Sequence, residues 1–128
     1  MIKRFRAGKE TGAYSAAVAA DGPILYVSGH GPLREGEWVR GTIEDETTAT
    51  LESLVATIAR CGASASDIVR CGCFLADINQ FDRFDAAYRS FFGENFPART
   101  TVGATLSDDI QVEIDAIVRL AAPSASEK

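Results

Sequence analysis

Apolar residues recur along this chain at two spacings, and the switches between them divide it into elements. Residues 16–20 (Ala-Ala-Val-Ala-Ala) and 24–28 (Ile-Leu-Tyr-Val-Ser) flank Asp21-Gly22-Pro23. They read as a hairpin, because an Asp-Gly pair accepts the positive φ of a tight turn. From Thr42 to Arg60 the period lengthens: Leu51, Leu54, Val55, Ile58 and Ala59 fall at steps of three and four, the apolar face of an amphipathic helix. Glu44, Asp45 and Glu46 suit its first turn, Arg60 its last, and Gly62 its stop. Residues 68–75 return to alternation, with Val69, Cys71, Cys73 and Leu75 on one face and Arg70, Gly72 and Phe74 on the other. Asp77 or Asn79 can cap a second helix, in which Phe81, Phe84, Tyr88 and Phe91 form an aromatic stripe read as core. Phe96-Pro97 then biases the chain toward extended geometry. A strand over 100–104, a turn over 106–109 and a strand over 111–120 follow, the last with Val112, Ile114, Ala116, Val118 and Leu120 on one face.

The order is hairpin, helix, strand, helix, hairpin, which predicts an α+β domain with two helices packed on one face of a mixed sheet. Residues 1–120 are expected to form a single domain and residues 121–128, small and polar, a disordered tail. Two helices cover only one face. The other would carry Phe74 and Ile117, and a half-apolar face left bare is an association surface, so a closed homo-oligomer is expected.

Composition narrows the function. The net charge of −5 opposes nucleic-acid binding, which rests on Lys and Arg displacing counterions. No stretch has the length of a membrane span, and basic Met1–Arg6 is not followed by the apolar run of a secretory signal. Three cysteines, Cys61, Cys71 and Cys73, and a single histidine lack metal-ligand spacing, so no metal or cofactor is expected. Unpaired thiols fit a reducing, cytoplasmic compartment.

Two charged residues stand out. Arg99 follows Phe96-Pro97-Ala98 at the mouth of a strand, and a guanidinium fork is the geometry that holds a small carboxylate bidentately. Glu113 lies in Val112-Glu113-Ile114-Asp115 on the last strand, where a partly desolvated carboxyl can serve as general acid and base. Both are expected to reach one shared place. Gly29-His30-Gly31-Pro32 lets backbone approach a ligand closely but lacks the spacing of a phosphate loop.

Tyr14, Tyr26-Val27-Ser28-Gly29, residues 59–64, Phe74-Leu75-Ala76-Asp77, residues 88–92, Phe96-Pro97-Ala98-Arg99 and Val112-Glu113-Ile114 occur in an order that resembles the reactive-intermediate deaminase (YjgF/YER057c/UK114) family. The resemblance implies a chorismate-mutase-like fold, a homotrimer with a barrel-like core, and clefts between subunits. It further implies hydrolysis of small 2-imino or enamine acids to 2-oxo acids and ammonia. In that scheme Arg99 holds the substrate carboxylate and Glu113 positions or activates water. Tyr14 arrives from a neighbouring subunit, Ser28 and Gly29 line the cleft, and the main chain at Thr101 meets the imino nitrogen. Asp85 stands where many family deaminases have asparagine, Thr101 where a cysteine is common, and His30 where glutamine is common. Asp85 could pair with Arg99 or select a different substrate, and the alternative is a non-catalytic trimer that senses a small acid.

Overall fold

The computed structural model describes residues 1–6 and 12–121; of the C-terminal tail expected over 121–128, all but residue 121 lies outside them. Helix α1 (Ile43–Arg60) begins with a reciprocal cap: Thr42 Oγ1 accepts the Asp45 N–H at 3.1 Å, and the Asp45 carboxylate accepts the Thr42 N–H at 3.3 Å. It stops at Cys61 and Gly62, whose φ of +87° suits a residue without Cβ. Before helix α2 (Phe81–Phe92) runs a short 3-10 turn in which Asp77 accepts the Asn79 N–H at 3.0 Å. Ile43, Leu51, Leu54 and Ile58 of α1 and Phe84, Tyr88 and Phe92 of α2 are buried against one side of the sheet and each other. That is the expected two-helix layer.

The sheet has six strands: β1 (Ile2–Arg6), β2 (Ser15–Ala20), β3 (Ile24–His30), β6 (Ile68–Leu75), β7 (Ala98–Gly103) and β8 (Val112–Arg119). A separate two-stranded hairpin comprises β4 (Leu33–Arg34) and β5 (Glu37–Trp38). The order across the sheet is β1-β2-β7-β6-β8-β3. It is mixed, since β6 runs parallel to β7 and antiparallel to β8.

Two of the expected pairings are corrected. Strands β2 and β3 flank the Asp21-Gly22-Pro23 turn but do not pair with each other: β2 pairs with β1, and β3 with β8. Strands β7 and β8 are not a hairpin either, because β6 lies between them. The β7–β8 connection crosses the C-terminal end of β6, where the Ala104 N–H donates to Leu75 O at 2.9 Å and the Ala76 N–H to Gln111 O at 3.0 Å. Helix α2 supplies the long crossover that parallel β6 and β7 require. A further strand, β1, was not expected from a run in which three of the six opening residues are basic.

The face assignments hold along β8, where Val112, Ile114, Ala116 and Val118 are buried, but shift at the start of β6. Ile68, not Val69, joins Cys71, Cys73 and Leu75 in the core, because the register slips between Ile68 and Arg70. One extra residue in a ladder turns everything before it to the other side. The buried Glu46 fastens α1 to the start of β8 by accepting the Gln111 N–H at 2.9 Å and its Nε2–H at 2.7 Å. The face away from the helices leaves Tyr26 77% exposed, with Ile24 and Val102 also uncovered.

Candidate functional site

Arg99 is the second residue of β7 and stands opposite Cys71, so it faces the helix layer. The strand begins there because Phe96-Pro97 is pinned on the neighbouring chain segment: the Ser15 N–H donates to Pro97 O at 3.0 Å and Ser15 Oγ–H to Phe96 O at 2.5 Å. The Arg99 side chain is only 4% exposed. Its guanidinium lies 4.8 Å from the centre of the Tyr88 ring, 5.4 Å from Phe81, 5.7 Å from Phe84 and 5.8 Å from Tyr14. Aromatic faces attract a desolvated cation, so the stripe read as core is also a cage. The second turn of α2 delivers the counter-charge: Arg99 Nη1 donates to Asp85 Oδ1 at 2.7 Å. That carboxylate also accepts the Ala13 N–H at 3.3 Å. No other acceptor is hydrogen-bonded to the guanidinium among the described residues, so Nε and Nη2 make no hydrogen bond there.

Thr101, two residues on, stands opposite Cys73 on the same side, and its buried Oγ1 has no hydrogen-bond partner among the described residues. Nearby, burial pushes the Cys71 thiol up to about 12 and Cys73 well above its ordinary range. Burial also raises Tyr88, whose hydroxyl lies against the Cys71 thiol without an oxygen or nitrogen partner. These groups stay protonated at neutral pH.

Glu113 belongs to the other face. It stands opposite Phe74 of β6 on the side turned from the helices, with its carboxylate over the backbone of Gly29. A Cβ at Gly29 would meet the end of the Glu113 side chain, so the carboxylate rests here because position 29 is a glycine, and a larger residue would have to displace it. Ser28 and Gly29 are exposed in an irregularity of β3 between Val27 and His30. His30 fixes this kink, one ring nitrogen 2.8 Å from Ser28 O and the other 2.8 Å from Thr57 Oγ1 on α1. Beside Glu113, Asp115 folds over Gly72 and accepts its N–H at 3.0 Å. A shallow hollow of about 310 Å³ lined by Tyr26, Ser28, Asp115 and Ile117 lies on this face.

The expected residues therefore form two groups. Arg99, Asp85, Tyr14 and Thr101 share the helix side, and Ser28, Gly29 and Glu113 share the opposite side. The shared place expected for Arg99 and Glu113 is not formed within one chain. Tyr14, expected from a neighbour, lies beside Arg99 of its own chain. Sequence reasoning passed over Asp115 and the part that Phe81, Phe84 and Tyr88 play in caging Arg99. A glycine in mid-strand at position 72 was the available sign of a side chain lying close. Among the described residues, no three His, Cys, Asp or Glu side chains converge on a possible metal position. Nor is any helix there long and apolar enough to cross a membrane.

The family model described as Endoribonuclease L-PSP matches residues 5–120. A RutC family protein of Pyrococcus horikoshii is 37% identical over 114 residues, 87% of this chain and 90% of that protein. The 2-iminobutanoate/2-iminopropanoate deaminase of Dermatophagoides farinae is 37% identical over 110 residues, 84% of this chain and 85% of that protein. Among solved structures, a Thermotoga maritima protein described as a possible endoribonuclease superposes with a TM-score of 0.73 at 35% identity, covering 94% of this chain and 99% of that one.

Proposed function

Because the chain belongs to the endoribonuclease L-PSP family, which takes in the RutC and YjgF/RidA proteins and has the chorismate-mutase-like fold, we propose that it is an imine/enamine deaminase. It hydrolyses small 2-imino acids to 2-oxo acids and ammonia in a cleft between subunits of a homotrimer. The observation that carries this reading is the buried Arg99 guanidinium, engaged by Asp85 at Nη1 and still offering Nε and Nη2. That free edge suits a substrate carboxylate, which accepts two parallel N–H bonds. The imine carbon then stands at a fixed distance from Arg99, and the neighbouring Asp85 charge favours the protonated, electrophilic iminium.

Glu113 of a second copy completes the chemistry. Its carboxylate takes a proton from water as the oxygen bonds to the imine carbon and the C=N electron pair moves to nitrogen. The same carboxyl returns the proton to nitrogen; the C–N bond then breaks as the O–H electron pair forms the carbonyl, and the hydroxyl proton passes to the Glu113 carboxylate and on to the departing ammonia, which leaves as ammonium. The reading is tested by ammonia release from freshly generated 2-iminobutanoate and 2-iminopropanoate. Wild type accelerates it, and Arg99→Lys and Glu113→Gln each lower it by about two orders of magnitude, the usual weight of one acid–base or positioning group. Undiminished turnover by Glu113→Gln would remove the mechanism. Light scattering is expected to give about three chain masses.

The closed Asp85–Arg99 pair favours a second reading, a regulatory trimer that binds a small acid without turning it over. Saturable binding of 2-oxobutanoate with no ammonia from any imino acid supports that reading and excludes the first.

A further inference from the structure

A cavity of about 480 Å³ opens between the β1–β2 end of the sheet and the last turn of α2. Three arginines line it: Arg4 and Arg6 from β1, and Arg89 from the last turn of α2. Tyr14, Ser15 and Phe96 form other parts of its wall, and Glu94 is the acidic residue among the described lining. The remaining space is that of a small-molecule site.

Two of these arginines are incompletely satisfied. Arg4 Nη2 donates to the Ser66 carbonyl at 2.8 Å, while its Nε is buried with no hydrogen-bond partner among the described residues. That N–H is covered by protein, so it is the Nη end of Arg4, where only Nη2 is hydrogen-bonded among the described residues, that remains for a ligand. Arg89 lies over the Phe96 ring at 5.4 Å, has an exposed position on α2, and has no carboxylate within ion-pair distance among the described residues. Stacking orients its plane without neutralising it. A concave site carrying Arg4 and Arg89, on a chain whose net charge is −5, concentrates anions locally against the overall field.

We propose that this cavity, which shares the Tyr14 ring with the Arg99 site but draws its charge from Arg4 and Arg89, binds the phosphoryl group of a small phosphomonoester. A carboxylate is satisfied by one guanidinium fork. A tetrahedral dianion has oxygens enough to accept from Arg4 and Arg89 at once, from a strand on one side and a helix on the other. The Phe96 and Tyr14 rings beside them suit a short organic group behind the phosphate.

The experiment is calorimetric titration of the full chain with glycerol 3-phosphate, inorganic phosphate and glycerol. Glycerol 3-phosphate is expected to bind saturably at one per chain, with glycerol silent and inorganic phosphate weaker for want of the organic group. Arg89→Gln, at an exposed position that leaves the fold intact, and Arg4→Gln each weaken binding by at least about tenfold, the loss of one charge-assisted bond. Arg89→Lys recovers part of it, and Glu113→Gln binds as wild type does. Three results would each overturn the proposal: no saturable binding up to about 10 mM, the millimolar limit of a useful affinity; binding indifferent to both Arg4→Gln and Arg89→Gln; or inorganic phosphate binding as tightly as glycerol 3-phosphate. Because no imino acid is involved, the outcome is independent of the deaminase assay.

Discussion

The two faces of the sheet handle charge in opposite ways. On the helix side Arg99 is enclosed by four rings and answered by Asp85, so the charge is held by a dry, densely packed layer. On the other side Glu113 and Asp115 lie across Gly29 and Gly72, with exposed Tyr26 close by and no cation paired to either carboxylate among the described residues. The difference teaches where the chain is complete. The arginine side is a finished interior with one free edge on its guanidinium, whereas the glutamate side is a surface shaped to receive something.

The comparison breaks first in the ring layer. Phe84→Ala removes a fully buried ring from both the core and the cage, and is expected to lower unfolding free energy by about 3–5 kcal/mol in urea titrations. Arg99→Ala comes next. It strands a mostly buried carboxylate and costs a further-reaching but similar or smaller amount, up to about 3–5 kcal/mol. The double variant Asp85→Leu with Arg99→Met is expected to regain most of that loss. If the double variant is as unstable as the single one, the pair is not the source of the cost.

Smaller effects sharpen the other face. Gly29→Ala pushes a methyl into the Glu113 carboxylate, and is expected to cost about 1–3 kcal/mol if the side chain stays and less if it swings away. Imine hydrolysis falls in either case; full activity would show that Glu113 need not rest on Gly29. Tyr26→Ser leaves the single chain's unfolding within about 0.5 kcal/mol of wild type, as surface changes do, but is expected to weaken assembly in dilution light scattering. The smallest effect concerns the thiols. Cys71 and Cys73 remain protonated in the fold, while the unfolded chain ionises them above about pH 8.5. The unfolded state then binds fewer protons, so stability declines as pH rises from there toward 12, and Cys71→Ala flattens the decline. At pH 8 only exposed Cys61 should react quickly with a thiol reagent.

Much of this was legible before any coordinates. Both helices were, because their signals are local: the spacing of Leu51, Leu54 and Ile58, the acidic first turn and Gly62 as a stop in α1, and the Asp77 or Asn79 cap and aromatic stripe of α2. Strand pairing was not. Asp21-Gly22-Pro23 makes a turn whichever ladder each strand joins, and the placing of β6 between β7 and β8 depends on contacts distant in sequence. The slip at Ile68–Arg70 leaves no mark in composition. The candidate residues could be picked out by type, but their geometry could not. The residue types of Arg99 and Glu113 carry the proposal of carboxylate binding and proton transfer, but which side of a sheet each takes is decided by register with β6.

The β1–β2 ribbon joins the rest of the sheet through a single register pair, Ser15 with Ala98, reinforced by the two bonds from Ser15 to Phe96 and Pro97. A ladder that short can open while the remainder stays folded. Native-state hydrogen exchange should therefore find the amides of residues 2–6 and 16–20 released well below the global unfolding free energy, as one cooperative unit. Arg4 and Arg6 ride on that unit and Arg89 on the body it leaves. An anion held between them would act as a clasp, and its presence would be recorded as slowed exchange along the ribbon.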